Sequence, residues 1–238
     1  MAQAKIATVV GAEMIGPDTR LVELEVPALG FVGGQYLIVN SGVVLPSGKL
    51  AKRAYSIVSA DARQDRVTFA VKRLETGPAS TFLHTAPHGA TFEFSGPWGK
   101  YLPDDARARR TLVLATDTGI TAALGLVRGK AFAPQRPQAE LLWLVESDRY
   151  FLPEAFVREA STIRVRMVPV PPVGHPERVA TAEAALRSVL EGGRPESVFL
   201  SGDGAVLYPL RDRLIEAGVS GEAVRLESFF NNPERKAT

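Results

Sequence analysis

Three short segments of this chain carry residue types that could hold a phosphorylated, planar ligand. In Lys52–Ser59, Arg53, Tyr55 and Ser56 place a guanidinium, a phenol and a hydroxyl within four residues. That set can bind a phosphate, stack on a flat ring and hydrogen-bond to its edge. In Thr76–Ser80, Gly77 permits close backbone approach and Pro78 suits a first helical turn, with Ala79, Ser80 and Thr81 supplying N–H groups and hydroxyls at a helix start. In Thr116–Ala123, the run Thr116, Asp117, Thr118, Gly119 leaves an apolar stretch and enters a helical one, so its N–H groups and the helix dipole would face an anion. Each segment also has a plainer reading: a barrel strand with an exposed Arg53, a helix cap at Ser80, or a turn in which Thr116 or Thr118 caps the next helix. Their succession in one chain argues for a shared ligand.

The remaining composition limits the chemistry. There are no cysteines, which excludes a disulfide, a thiolate zinc site, a cysteine-held iron–sulfur cluster and a cysteine nucleophile, so redox chemistry would ride on a bound cofactor. His84 and His88 are separated by Pro87, and with His175 they make no metal site. No Gly-x-Ser-x-Gly elbow occurs, and the stretch from Gly202 reads as a sheet-end loop entering a helix. The net charge of +2 comes from interspersed signs, which does not suggest nucleic acid. No apolar run reaches membrane-spanning length and no signal segment is legible. A cytoplasmic protein without a membrane partner is the expectation.

These segments need elements to position them. A chain of 238 residues, 45% apolar and 23% charged, is ordinary globular material for one large domain or two small ones. Up to about residue 100 the pattern is six short strands divided by Gly, Pro, Ser and Asp turns, with one helix over Ala79–Ala86. Six such strands suggest an antiparallel β barrel. From Thr111 the rhythm becomes strand, helix, strand, with helices expected over Gly119–Lys130, Pro153–Ala160, Ala180–Glu191 and Ala205–Ala217, the sequence form of a doubly wound α/β parallel sheet. The expected domains are 1–104 and 105–238, packed directly together with a ligand in the cleft between them.

On GGQY (Gly33–Tyr36), RAYS (Arg53–Ser56), VKR (Val71–Arg73), GPAS (Gly77–Ser80), SGPWG (Ser95–Gly99), the TDTGIT loop, SGD (Ser201–Asp203) and ESFF (Glu227–Phe230), the chain resembles the ferredoxin–NADP reductase superfamily over nearly its whole length. The resemblance implies an FAD-binding barrel and a pyridine-nucleotide domain. It places Arg53 on the FAD phosphates, Tyr55 on the isoalloxazine, Ser56 near flavin N5, Ser80 with Ala79 and Thr81 on the pyrophosphate, and Val71 and Gly77 in the same site. Thr116, Thr118, Gly119, Ser201 and Gly202 would contact the nucleotide, while Glu227 and Phe230 would lie beside the flavin. Ser56 and Glu227 are the implied catalytic pair, and Tyr101 is either an adenine cover or a domain-boundary residue.

The chain departs from the family pattern in two segments. Asp117 stands where a glycine is usual and Ala122 where a proline is usual, and Ser201-Gly202-Asp203 replaces a Cys-Gly-Pro type segment, losing the thiol and adding an acid. An Asp117 turned outward to cap the helix at Gly119 would leave the site usable. The implied function is a monomeric FAD-dependent oxidoreductase that takes a hydride from NADPH or NADH and passes single electrons to a ferredoxin or flavodoxin. NADPH is favoured, with Arg149, Arg164 and Arg178 as candidates for its 2′-phosphate. The alternatives are the reductase component of a multicomponent oxygenase, or a flavin-binding electron-transfer or regulatory subunit without a working nucleotide site.

Overall fold

A computed structural model describes residues 5–104, 107, 109–146 and 151–234. The first half forms a six-stranded sheet from β1 (Lys5–Met14), β2 (Thr19–Glu25), β3 (Tyr36–Val44), β4 (Leu50–Ser56), β5 (Arg66–Lys72) and β6 (Thr91–Trp98). Its order is β4-β3-β6-β1-β2-β5, and all neighbours are antiparallel. Alternation sets the faces: Val22 and Leu24 of β2 are fully buried while Glu25 is exposed. They meet Val9, Leu37, Val39, Phe69 and Phe94 in one barrel core.

Helix α1 (Pro78–Thr85) closes this core with Leu83, and Phe82 packs edge-on against Phe92 at 5.6 Å. The guanidinium of Arg20 donates to the carbonyls of Leu83 and Ala86, satisfying the end of the helix.

The second half forms a five-stranded parallel sheet from β7 (Thr111–Thr116), β8 (Ala139–Glu146), β9 (Arg164–Val170), β10 (Ser197–Asp203) and β11 (Val224–Phe230), in the order β11-β10-β7-β8-β9. Every residue of β7 is buried, as expected for a central strand covered on both faces. Helices α2 (Ile120–Arg128) and α3 (Glu154–Ala160) cover one face, and α4 (Arg178–Leu190) and α5 (Gly204–Glu216) cover the other. The barrel-plus-doubly-wound architecture expected from the sequence is the one observed. Helix bounds differ from expectation by one or two residues, most consequentially at α2. A 3-10 turn, Asp117–Gly119, precedes it because Asp117 adopts a left-handed backbone with φ of 47°.

Glycines dock the two sheets together. A Cβ on Gly33 would lie 2.4 Å from the Gly125 carbonyl oxygen, and one on Gly125 would lie 2.1 Å from that of Ile57. The backbones of the barrel and of α2 therefore touch without side chains between them. Asp61, which is buried, clasps the same junction by accepting from the N–H groups of Gly33 and Lys130. Val58, Ala70 and Tyr101 of the barrel half join the core formed on the α2 face. The boundary expected at 104/105 adjoins residues 105, 106 and 108, which lie outside the described residues.

Candidate functional site

Between the two sheets lies a cavity of about 530 Å³. Its barrel wall is Arg53, Tyr55 and Ser56 from β4, Lys72 from β5, and Gly77, Ala79 and Ser80 at the start of α1. Its opposite wall is Asp117, Thr118 and Thr121 from the end of β7 and the start of α2, with Glu146 from β8 and Phe229 and Phe230 from β11. Ala51, Ala54 and Ala70 also line it, and these small side chains leave flat room beside Tyr55. Sheet geometry puts a ligand here independently. In the order β11-β10-β7-β8-β9 the crossovers reverse between β7 and β10, and an open α/β sheet binds at the carboxyl ends of its strands beside such a switch point.

On the barrel wall the Tyr55 ring is fixed by stacking on Phe69, centroids 5.5 Å apart and 27° between planes, and burial pushes its phenol up to about 12 despite the nearby Arg53. The phenol thus stays protonated at any working pH. Ser56 is buried, and its hydroxyl makes no hydrogen bond among the described residues. The Ser80 hydroxyl is committed to its own turn, accepting from Leu74 N–H at 3.2 Å and donating to the Gly77 carbonyl at 2.9 Å. A Cβ on Gly77 would lie 2.6 Å from Ser80 Oγ. The glycine therefore keeps this cradle open beside the helix start, and the donors left for a ligand phosphate are backbone N–H groups. A dinucleotide with a planar ring fits these residues: Arg53 and the helix start for phosphate, and Tyr55 with Ser56 for the ring.

The opposite wall differs from expectation at Asp117. Instead of turning outward to cap α2, Asp117 turns inward, where Arg178 at the start of α4 donates to its Oδ2. The Arg178 Nε also lies 3.3 Å from Asp203 Oδ2, and its Nη1 donates to the Pro171 carbonyl. One guanidinium thus joins the carboxyl ends of β7, β9 and β10. Arg178 is 2% exposed, which removes it as a 2′-phosphate ligand. Arg149 lies outside the described residues, and Arg164 sits exposed at the opposite end of β9 from this crevice. The left-handed backbone of Asp117 is one that aspartate tolerates better than most residues. Burial raises its pKa, opposed by Arg178, with the charges of Glu146 and Asp203 adding to the rise. Its Oδ1 is buried without a partner.

Neither Thr116 nor Thr118 caps α2 through its side chain. Thr116 is fully buried, and its Oγ1 accepts from Asp203 N–H at 2.7 Å. Asp203 itself caps α5, accepting from Ala205 N–H at 3.1 Å.

Several residues singled out in the sequence lie behind the cavity. A Cβ on Gly119 would meet the Ser201 carbonyl oxygen at 2.1 Å, and one on Gly202 would meet Thr116 Oγ1 at 2.3 Å, so both glycines let β7 and β10 close against each other. Ser201 is buried, accepts from Tyr101 OH at 3.2 Å and donates to the Gly119 carbonyl at 3.0 Å. Tyr101 is therefore the domain-boundary residue of the two readings, packed edge-on against Phe199. Glu227 pairs in register with Ser201, and its charge acts on Tyr101. Burial pushes its carboxyl up to about 7, and Oε2 has no partner. Val71 is a core residue whose carbonyl is bonded by the His84 ring at 2.7 Å, and Thr81 faces a neighbouring shallow groove. Phe230 does line the cavity, as does Phe229, which also packs on the α2-side core.

Glu146 and Val173 also line the cavity without having stood out in the sequence, as do Lys72 and Thr121, which the VKR and TDTGIT motifs contained without a role of their own. Two were accessible to rule: Glu146 ends an apolar parallel strand, the position from which such sheets reach their ligands. Lys72 follows the fully buried Val71, so alternation turns it away from the barrel core.

Comparison with known proteins agrees with this geometry. The family model of an oxidoreductase FAD-binding domain matches residues 6–102. Ferredoxin–NADP reductase B of Sorangium cellulosum is 37% identical over 120 residues, which are 50% of this chain and 47% of that protein. The ferredoxin reductase component of 3-ketosteroid-9-alpha-monooxygenase from Mycolicibacterium smegmatis is 26% identical over 211 residues, 87% of this chain and 58% of that one. The chain spans about half the length of the curated relatives it matches. Among solved structures, an Amycolatopsis cytochrome P450 reductase matches with a TM-score of 0.73 at 25% identity, covering 95% of this chain and 70% of that one.

Proposed function

We propose that this chain, a member of the ferredoxin reductase-like superfamily, is an FAD-dependent reductase. It takes a hydride from NADPH or NADH and hands electrons singly to a protein acceptor. The observation that carries this is the single cavity joining the Arg53–Tyr55–Ser56 wall to the switch-point wall of the parallel sheet. A flavin held on the first wall and a nucleotide lying on the second share one space, which hydride transfer requires.

When bound, FAD supplies the hydride acceptor and the one-electron donor. Arg53 and the N–H groups opening α1 would hold its phosphates, and Tyr55 and the Ser56 hydroxyl would support its ring. Thr118 would offer its hydroxyl to the nucleotide, while that of Thr121 already donates to the Thr118 carbonyl at 2.9 Å. Phe229 and Phe230, which line the cavity, would make the wall beside the ring apolar. The acceptor is a ferredoxin, a flavodoxin or an oxygenase component, the chain acts as a monomer in the cytoplasm, and 1–104 and 105–238 are its two domains. Support for the acceptor class comes from relatives named as a ferredoxin–NADP reductase and as a monooxygenase reductase component.

The test is an anaerobic visible-absorption titration of the FAD-loaded protein with NADPH and then NADH. Bleaching by either nucleotide is expected and identifies the donor. A flavin spectrum that survives both nucleotides but bleaches with dithionite would refute the donor half of the reading. Failure to take up FAD at all would refute the whole of it.

A further inference from the structure

The cavity is polarised. Its barrel wall carries the cations Arg53 and Lys72, and its α/β wall carries the acids Asp117 and Glu146. Arg178 does not neutralise the second wall, because one guanidinium is shared between Asp117 and Asp203 and is itself closed off from the cavity. That group holds two carboxyls against one guanidinium, and Glu146 adds a third carboxyl on the same wall. Glu146 is near enough to act electrostatically on Asp117, so the acidic wall spans the ends of β7 and β8. Asp117 is more than nine-tenths buried, lines the cavity and retains an unpartnered carboxylate oxygen. The network fixes Asp117 on the cavity wall while leaving one of its carboxyl oxygens unpartnered.

We propose that Asp117 and Glu146 make the site select the oxidised, pyridinium form of the nicotinamide ring over the reduced form, so that they stabilise the charge that develops as hydride leaves. This rests on the reductase reading. A flavin on the Tyr55 and Ser56 wall forces the nicotinamide into the space between it and the acidic wall. The hydride departs from C4 of the dihydropyridine with its electron pair and reduces the flavin, and the ring left behind carries one positive charge. The rest of the nucleotide keeps its charge through the step, so the acidic wall distinguishes the two forms through the ring alone. Opposite charges several ångströms apart in a partly buried site change a binding ratio by roughly tenfold or more.

The experiment compares equilibrium binding of the pyridinium dinucleotide with that of its tetrahydronicotinamide analogue, whose ring is neutral and donates no hydride. Both are titrated calorimetrically into the FAD-loaded protein. The parent is expected to bind the pyridinium form roughly tenfold tighter. Asp117→Asn and Glu146→Gln should each reduce this ratio several-fold, while changing affinity for the neutral analogue little. Glu146→Gln serves alone if loss of the Arg178 partner prevents Asp117→Asn from folding. A ratio near one in the parent, or an unchanged ratio in the folded variants, would overturn the inference while leaving the reductase reading intact. Binding of neither form to a protein that holds FAD would refute the nucleotide half of that reading and this inference with it.

Discussion

Glu227 gives the most direct quantitative check on the architecture behind the cavity. Its carboxyl is buried beside Tyr101 and Ser201, with Oε2 lacking a hydrogen-bond donor, and its pKa is raised from 4.5 to about 7 by burial alone. A carboxyl whose folded pKa lies above its unfolded one binds more protons in the native state between those values. Its contribution is therefore fully present below pH 4.5 and is lost as pH rises through 7.

The whole shift corresponds to about 3 kcal/mol. Part of it is already spent at pH 5, so the loss between pH 5 and pH 8 is about 2.5 kcal/mol. Glu227→Gln keeps the shape and removes the titration. Urea unfolding of parent and variant at pH 5 and pH 8 isolates this group from every other titration. The variant should gain about 2.5 kcal/mol on the parent over that interval, a relative midpoint shift of roughly 1 M. A parent–variant difference that is the same at both pH values would refute the burial of an unpaired carboxyl at this position.

Two further perturbations test the junction and the crevice. Gly125→Ala places a Cβ 2.1 Å from the Ile57 carbonyl oxygen. Because backbone meets backbone there, it should cost about 1–3 kcal/mol in denaturant unfolding, whereas an unchanged midpoint would mean the halves are not in direct contact. Arg178→Ala strips the buried Asp117 and Asp203 of their common cation and should destabilise the fold by about 3–5 kcal/mol. The double variant Arg178→Ala/Asp117→Asn should recover part of that loss, and a double variant no more stable than the single one would refute a coupled network.

What could be read from the sequence divides according to range. Val22 and Leu24 alternating with Glu23 and Glu25, and the unbroken apolar run of β7, announce their sheets because side-chain direction follows from a period of two and from burial on both faces. Arg53, Tyr55, Ser56 and Gly77 through Ser80 were legible as a ligand wall for a similar reason: each group's chemistry is local, and the strand or helix start that aims it lies in the same few residues. Asp117 was not. Its direction depends on a guanidinium 61 residues further along the chain, and no local pattern favours an inward turn over a cap. Gly119 and Gly202 illustrate the complementary limit. A glycine in a strand-to-helix loop announces that a side chain does not fit, but not what fills the space. Here the neighbour is the facing strand end in both cases, Ser201 against Gly119 and Thr116 against Gly202.

That distinction changes what the crevice can do. A loop whose glycine admits a phosphate is shaped in part by its ligand, whereas this loop is held before any ligand arrives. Gly119 seats it on β10, Thr116 fixes the turn of β10 through Asp203 N–H, and Arg178 joins the ends of β7, β9 and β10 in one group of charges. A crevice held from three strands keeps Asp117 in place before any ligand binds, and a group already in position costs no reorganisation at the moment of reaction. Asp117 therefore shapes the site in two linked ways: it closes the loop onto Arg178, and it sets a carboxyl on the cavity wall opposite Arg53, Tyr55 and Ser56.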